Sequence, residues 1–421
     1  MSKLRVLIVG ASIAGPTAAY WFAKTGAKVT IIERFSQLRT NGQNVDIRTA
    51  GVSVMRKMPG MEEAVRASLQ QIDGISLVDE NGRSYGTMTS TGDPDQQSLI
   101  SEYEILRGDL SRIIVDLSKS HKNVNYIFGE QVASMQNDEK SNGPIKVDFM
   151  NGTSPAEFDL VVACDGATSR TRALGLQCGM RDYIEPVNSW AAYFSIKKDL
   201  LNGSQMGYGY SAVGGRTIAI GPDPSGGNRI TLMSIQRRKD SNAMMKFRQA
   251  NKLGTDALKD FVAKEFAGAR WKWDEVLQGM MGSDDFYASE WAQVKPPALS
   301  KGRFAMVGDA GYAPGPTGTG TSLALAGAYL LAGEIGKHQG DLTAGLKGYE
   351  ECIRPLINEM QKIPPLVPGV FAPQTAWGIW TRNSIFAFLC WSRLPWIFNK
   401  LFGSASAHSD GYELPEYEWG S

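Results

Sequence analysis

The chain has 421 residues, 43% hydrophobic and 21% charged, which supplies a sizeable core and excludes a mainly disordered polypeptide. Lysine and arginine total 44 against 43 aspartates and glutamates, and a formal charge of +1 gives no electrostatic case for binding nucleic acid or an anionic membrane. Four scattered cysteines (Cys164, Cys178, Cys352, Cys390) argue against a disulfide scaffold, and three isolated histidines (His121, His338, His408) against a zinc site or a histidine-based triad.

The N-terminal Met1-Ser2-Lys3-Leu4-Arg5 lacks the pattern of a secretory signal, so a cytoplasmic protein is expected. Leu4 to Val9 is an apolar run ending at Gly10, the pattern of a buried parallel strand. Gly15 to Thr25 reads as a helix with Pro16 in its first turn, where proline is tolerated. Gly26 stops it, and Val29 to Ile32 predicts a second strand ending at Glu33. Ile105 to Ser118 has helical apolar spacing, while Asn123 to Phe128 and Phe158 to Ala163 predict strands.

From Trp190 to Ile235 the texture changes to short β-prone runs between glycine turns: Trp190–Ile196, Arg216–Ile220 and Arg229–Ile235, with Ser225-Gly226-Gly227-Asn228 as a turn. That predicts antiparallel sheet. Trp271 and Trp273 read as core or interface aromatics. Arg303 to Val307 returns to a buried strand, followed by a Gly/Pro/Thr loop and a helix over Thr321 to Gly336. After residue 365 an aromatic tail (Trp377, Trp380, Trp391, Trp396) predicts helical stretches packed across domains or over a substrate entrance. No apolar run there reaches the roughly 20 residues of a spanning helix, and membrane contact is not expected.

Three motifs carry chemistry. Gly10-Ala-Ser12-Ile-Ala-Gly15 lies between strand and helix, with Glu33 about 20 residues on, as a dinucleotide site requires. A pyrophosphate sits over such a helix N-terminus, where unpaired N–H groups and the dipole favour negative charge. Ser12 replaces the middle glycine of the usual pattern. The second motif, Cys164-Asp165-Gly166-Ala-Thr-Ser-Arg, follows a strand; alone it reads as an ordinary turn. The third runs from Gly308-Asp309-Ala310-Gly311-Tyr312 through Pro316 to Gly318-Thr319-Gly320, between strand and helix. Its backbone N–H groups suit an anionic cofactor, and Asp309 can accept hydrogen bonds from hydroxyls.

Taken with Leu106-Arg107-Gly108-Asp109-Leu110, these motifs resemble, in order and spacing, the landmarks of the class A flavoprotein monooxygenases of the para-hydroxybenzoate hydroxylase fold. Within that family the chain is similar to the branch containing tetracycline-inactivating monooxygenases and fungal and bacterial tailoring hydroxylases. The resemblance covers roughly residues 4 to 365. It implies an α/β fold: a Rossmann-like FAD-binding domain (1–73, 104–178, 296–365) with an inserted, mainly antiparallel β-sheet substrate domain (74–103, 179–295) and a C-terminal helical segment (366–421). It implies non-covalent FAD, with Gly10, Ser12 and Gly15 at the pyrophosphate, Glu33 at the ribose and Arg34 beside the adenine. Arg107, Asp165, Asp309 (the ribityl chain), Pro316, Gly318, Thr319 and Gly320 complete the implied cofactor set. Arg48 and Tyr193 are the implied substrate contacts, against plainer roles as an ion-pairing residue and a core aromatic. Tyr312 departs from the histidine that relatives often carry.

The activity so implied is monooxygenation: NAD(P)H reduces FAD, O2 adds at C4a, and the C4a-hydroperoxide passes one oxygen to a small aromatic or polyketide-like substrate. Flavin chemistry needs no metal and no catalytic histidine. Alternatives on the same scaffold are an FAD oxidase or dehydrogenase, a Baeyer–Villiger-type oxygenase, and a catalytically silent flavin-binding or ligand-binding protein.

Overall fold

The first apolar run forms β1 (Arg5–Val9), with Val6, Leu7 and Ile8 fully buried, and α1 (Ala14–Lys24) carries the chain to β2 (Lys28–Glu33). The predicted strand–helix–strand unit is therefore present. The computed structural model describes residues 4–39, 42–69, 72–89, 103–136, 143–224, 226–236, 244–363, 367–392 and 413–419. After β2 come β3 (Asn44–Asp46), α2 (Ala50–Arg56), α3 (Met61–Ala67), β4 (Gly74–Val78) and β5 (Ser84–Thr89).

Next, β6 (Glu104–Leu106) pairs antiparallel with β3 and runs straight into α4 (Arg107–Lys119). The helix predicted from Ile105 thus begins later, at Arg107. Ile105 is a fully buried strand residue opposite Val45, so the apolar spacing continues across a strand–helix junction that buries one side throughout.

β7 (Val124–Phe128) precedes a small sheet of β8 (Val132–Gln136), β9 (Ile145–Phe149) and β10 (Ala156–Phe158), and then β11 (Leu160–Ala163). The single strand predicted over Phe158–Ala163 is divided at Asp159. There the carboxylate accepts from the Arg5 backbone N–H at 2.8 Å and from its guanidinium at 3.0 Å, pinning a corner between two sheets.

α5 (Arg170–Leu176) leads to β12 (Ile184–Ile196), β13 (Met206–Ala212), β14 (Arg216–Pro222) and β15 (Asn228–Ile235). Three helices, α6 (Met245–Leu253), α7 (Thr255–Glu265) and α8 (Trp273–Met281), precede β16 (Tyr287–Val294). The chain then returns through β17 (Ser300–Lys301), β18 (Phe304–Met306), α9 (Asp309–Tyr312), α10 (Gly320–Lys337) and α11 (Leu342–Met360). α12 (Val367–Phe371) and α13 (Ala376–Ser392) follow.

Two large sheets result. One has the order β17-β18-β11-β1-β2-β7 and is parallel except at β17. The other, β16-β12-β15-β14-β13-β4-β5, is antiparallel except between β13 and β4. Period-two alternation gives the second sheet two unlike faces. Trp190, Phe194, Ile218, Ile220 and Leu232 pack under α6–α8 against Phe247, Val262 and Val276. Ala191, Tyr193 and Ser195 occupy the opposite face. Trp273 is buried and stacks on Phe266 at 5.3 Å, in keeping with a core aromatic.

α13 lies against β5 and β13, with Trp377, Trp380 and Trp391 exposed. Trp396 and part of the predicted turn, Ser225, lie outside the described residues, as do 90–102 of the first sheet-domain segment. Residues 413–419 pack on α1 and α10: Trp419 meets Trp21 at 4.5 Å, and the Tyr417 hydroxyl donates to Glu334 at 2.7 Å. Among the described residues no helix is long and apolar enough to cross a membrane.

Candidate cofactor and substrate site

The loop from β1 to α1 is closed by glycines that admit no side chain. Gly10 has φ +108°, and a Cβ there would stand 2.5 Å from the Cys164 carbonyl oxygen. A Cβ on Gly15 would overlap the Gly10 carbonyl oxygen. The two glycines let α1 start close against the ends of β1 and β11. Ser12 sits between them, its carbonyl accepting from the Ser111 hydroxyl at 2.9 Å. At the N-terminus of α1 no side chain caps the helix and no acidic residue occupies the first turn, which leaves its first N–H groups without a capping acceptor.

Glu33 ends β2 beside this loop. Its Oε2 accepts from the Ala11 N–H at 2.9 Å and its Oε1 from the Phe35 N–H at 3.2 Å. The Arg34 and Arg39 guanidinium groups lie over the Phe35 ring at 4.7 and 4.5 Å. Burial lowers the Arg39 pKa, and the charges of Arg107 and Arg34 add to this. Arg39 went unnoticed in the sequence because no motif spacing marks it.

Asp165 lies next to Gly10, but its carboxylate is engaged within its own loop. Oδ1 accepts from the Ser169 hydroxyl, and Oδ2 from the Thr171 N–H at 3.1 Å and hydroxyl at 2.9 Å. Burial raises its pKa while these donors oppose the rise. Ser169 in turn caps α5 through the Arg172 N–H at 2.8 Å. The fully buried Arg172 guanidinium donates to the Ala310 carbonyl at 2.9 Å, tying the second motif to the third.

In the third motif Gly308 has φ +66°, and a Cβ on it would stand 2.9 Å from that of Ala14, so β18 turns tightly against α1. Asp309 lies deep in the fold, where burial raises its carboxyl above the usual range and Arg107 pulls the other way. Its side chain is nonetheless exposed, so it faces an open internal cleft. Gly320, the first residue of α10, borders the same carboxylate: a Cβ there would stand 3.6 Å from Asp309 Oδ1. The α10 N-terminus has no side-chain cap and no first-turn acid, and the Thr319 and Thr317 hydroxyls bond to each other at 2.7 Å. Pro316 is partly buried and Gly318, at φ +76°, is exposed on this loop. Tyr312 points into the core, bonded to the Tyr349 hydroxyl at 3.1 Å, and Gly327 of α10 makes the space it fills.

A cavity of about 800 Å³ separates the free face of the seven-stranded sheet from the β3–β6 pair. Tyr193, Tyr287, Thr231 and Met233 line it from the sheet, Asn44 and Glu104 from the other side. Tyr193 and Tyr287 are register partners on β12 and β16, their rings stacked at 6.3 Å and 18°. Burial holds the Tyr193 phenol well above its ordinary range. Arg48 is not among the lining residues. Its N–H donates to Ser322 Oγ at 2.9 Å and its guanidinium to Asp46 at 3.1 Å, at the junction of β3 with α10. Tyr287, Asn44 and Glu104 were not singled out from sequence; Tyr287 lies on a strand the sequence reading had not placed. Among the described residues no cluster of three metal-ligating side chains occurs.

Residues 3–359 match the family described as FAD binding domain. The chain is 32% identical over 425 residues to monooxygenase CTB7 of Cercospora beticola, covering 100% of this chain and 99% of the relative. It is 31% identical over 441 residues to FAD-dependent monooxygenase asL4 of Sarocladium schorii, covering 99% of each. The solved structure of tetracycline destructase Tet(51) superposes with a TM-score of 0.78 at 26% identity, covering 99% of this chain and 100% of that one. The glycine-closed loops, the cleft-facing Asp309 and these matches agree, and the chain belongs to the FAD-dependent monooxygenases, with FAD as its cofactor.

Proposed function

We propose that this protein uses NAD(P)H and O2 to hydroxylate a small aromatic or polyketide-like molecule held in the cavity beside Tyr193. The observation that carries the reading is the packing of three distant loops on one another, Gly10 on Cys164 and Gly308 on Ala14, in a chain that also holds a chamber of about 800 Å³ lined by Tyr193 and Tyr287. In this reading segments 1–73, 104–178 and 296–365 form the cofactor-binding unit, and 74–103 with 179–295 the substrate-binding unit.

The uncapped N-terminus of α1, with Gly10, Ser12 and Gly15, receives the pyrophosphate. Glu33 keeps lone pairs beyond those used by Ala11 and Phe35, and these accept the ribose hydroxyls, with Arg34 beside the adenine. Asp309 accepts from the ribityl chain and Arg107 offsets its charge. Asp165, held by Ser169 and Thr171, sets the loop that meets Gly10 beside the cofactor. When bound, the flavin accepts hydride and activates oxygen. Pro316, Gly318, Thr319 and Gly320 position the α10 N-terminus so that its free N–H groups stabilise negative charge on the reduced ring. The stacked Tyr193–Tyr287 pair orients a planar substrate and excludes water, and Arg48 steadies the β3 end of the wall.

The test is a ligand screen read by NAD(P)H consumption, followed by mass spectrometry of each hit. A product heavier by one oxygen and bearing a new hydroxyl supports the proposal, whereas one oxygen inserted next to a carbonyl as an ester or lactone makes the protein a Baeyer–Villiger-type oxygenase. Reduction of the flavin by a ligand alone, with a product two hydrogens lighter and no added oxygen, makes the protein an oxidase or dehydrogenase. A flavin reduced neither by NAD(P)H with any ligand nor by any ligand alone favours a binding protein.

A further inference from the structure

The β3–β6 wall of the cavity is rich in acceptors. Register sets Asp46 opposite Glu104 and Val45 opposite Ile105; Val45 and Ile105 turn to the core, which leaves Asn44, Asp46 and Glu104 on the other face. Glu104 Oε1 accepts from Asn44 Nδ2 at 2.8 Å. Among the described residues no donor meets Oε2, yet that oxygen is not sealed into the protein. Arg48, whose charge favours the ionised form of Glu104, is itself held by Asp46. The side-chain carbonyls of Gln43 and Asn44 beside it also lack donors. Burial raises the Glu104 carboxyl, and its bond from Asn44 opposes the rise, as expected for a carboxylate removed from water with one partner.

A carboxylate oxygen without a donor at a cavity wall is complementary to a ligand that brings one. We propose that Glu104 is a specificity-determining residue, its Oε2 accepting a hydrogen bond from a ring hydroxyl of a polyhydroxylated, planar aromatic substrate that lies along the Tyr193–Tyr287 face. Asn44 is the positioning residue that fixes the carboxylate. The proposal rests on the reading of this cavity as the substrate site and adds which substrates it admits: those with free hydroxyls rather than their ethers.

Equilibrium dialysis of the full-length, FAD-loaded protein without reductant tests it. The probes are the trihydroxyanthraquinone emodin and its tri-O-methyl ether. Emodin is expected to bind at least about 10-fold more tightly than the ether. In Glu104→Ala, with FAD content unchanged, emodin binding falls about 10-fold while ether binding holds; Glu104→Gln, which keeps the shape and one acceptor, falls between. Equal binding of the two probes, no binding of either, or an emodin-to-ether ratio unaltered in Glu104→Ala overturns the proposal. Since dialysis needs no turnover, a protein that selects emodin through Glu104 but never consumes NAD(P)H contradicts only the monooxygenase reading.

Discussion

The carboxylate of Asp309 borders the first residue of α10: a Cβ on Gly320 would stand 3.6 Å from Asp309 Oδ1. A charge acceptor and an uncapped helix N-terminus therefore share one end of the cleft, brought together by the loop from Tyr312 to Thr319. Asp309→Ala removes an acceptor for cofactor hydroxyls and should weaken FAD binding about 10-fold or more. The ratio of flavin to protein absorbance after gel filtration checks this; a variant that stays fully yellow contradicts the role.

The same residue has a pH signature in the apoprotein. Its folded pKa is raised, so protonation favours folding: that contribution is full below the ordinary carboxylate range and is lost as pH rises through the folded value. Asp309→Asn, which cannot ionise, should therefore melt higher than wild type at neutral pH. The gain should vanish as pH falls below the ordinary range. Thermal melts of both apoproteins across pH decide it.

Glu130 behaves in the opposite way. Burial alone would raise its carboxyl, but N–H donors from Gln131, Met150, Asn151 and Thr153 win and hold it at about 2. A depressed pKa stabilises the fold above the ordinary value and loses that contribution as pH falls towards about 2. Glu130→Gln should cost on the order of 1–2 kcal/mol at pH 7, with the difference from wild type closing in acid. Urea melts at two pH values measure it.

Gly15 has no room for a methyl group, because a Cβ would overlap the Gly10 carbonyl oxygen. Gly15→Ala must push α1 away from the loop, at a cost of about 2 kcal/mol or more, and reduce FAD retention. An alanine variant with wild-type melting temperature and full flavin content would disprove this packing.

Gly221 on β14 lines the cavity and has open space where its side chain would be. Gly221→Val should fold normally but narrow the chamber, raising KM for multi-ring substrates about 10-fold while sparing single-ring ones. Steady-state kinetics on a ring-size series checks the asymmetry.

What the sequence made legible follows from how local each signal is. The β1–α1–β2 unit and the glycine turn at Gly10 were readable because tight turns demand glycine at fixed offsets and buried parallel strands are continuous apolar runs. The start of α4 was misplaced since Ile105 and Leu110 bury the same side across two elements. Asp159 split a predicted strand through a bond to Arg5, 154 residues away, which no local pattern encodes. Tyr287 and Glu104 reach the cavity only through long-range pairing, β12 with β16 and β3 with β6. Arg39 became visible only once Arg34 and Arg107 were placed near it.

The central claim is that three loops remote in sequence bind one FAD. Titrating the apoprotein with FAD and following flavin fluorescence tests it most directly. The account predicts saturable binding at one FAD per chain, weakened about 10-fold or more in Asp309→Ala. Absence of saturable binding, or identical curves for wild type and Asp309→Ala, would contradict it.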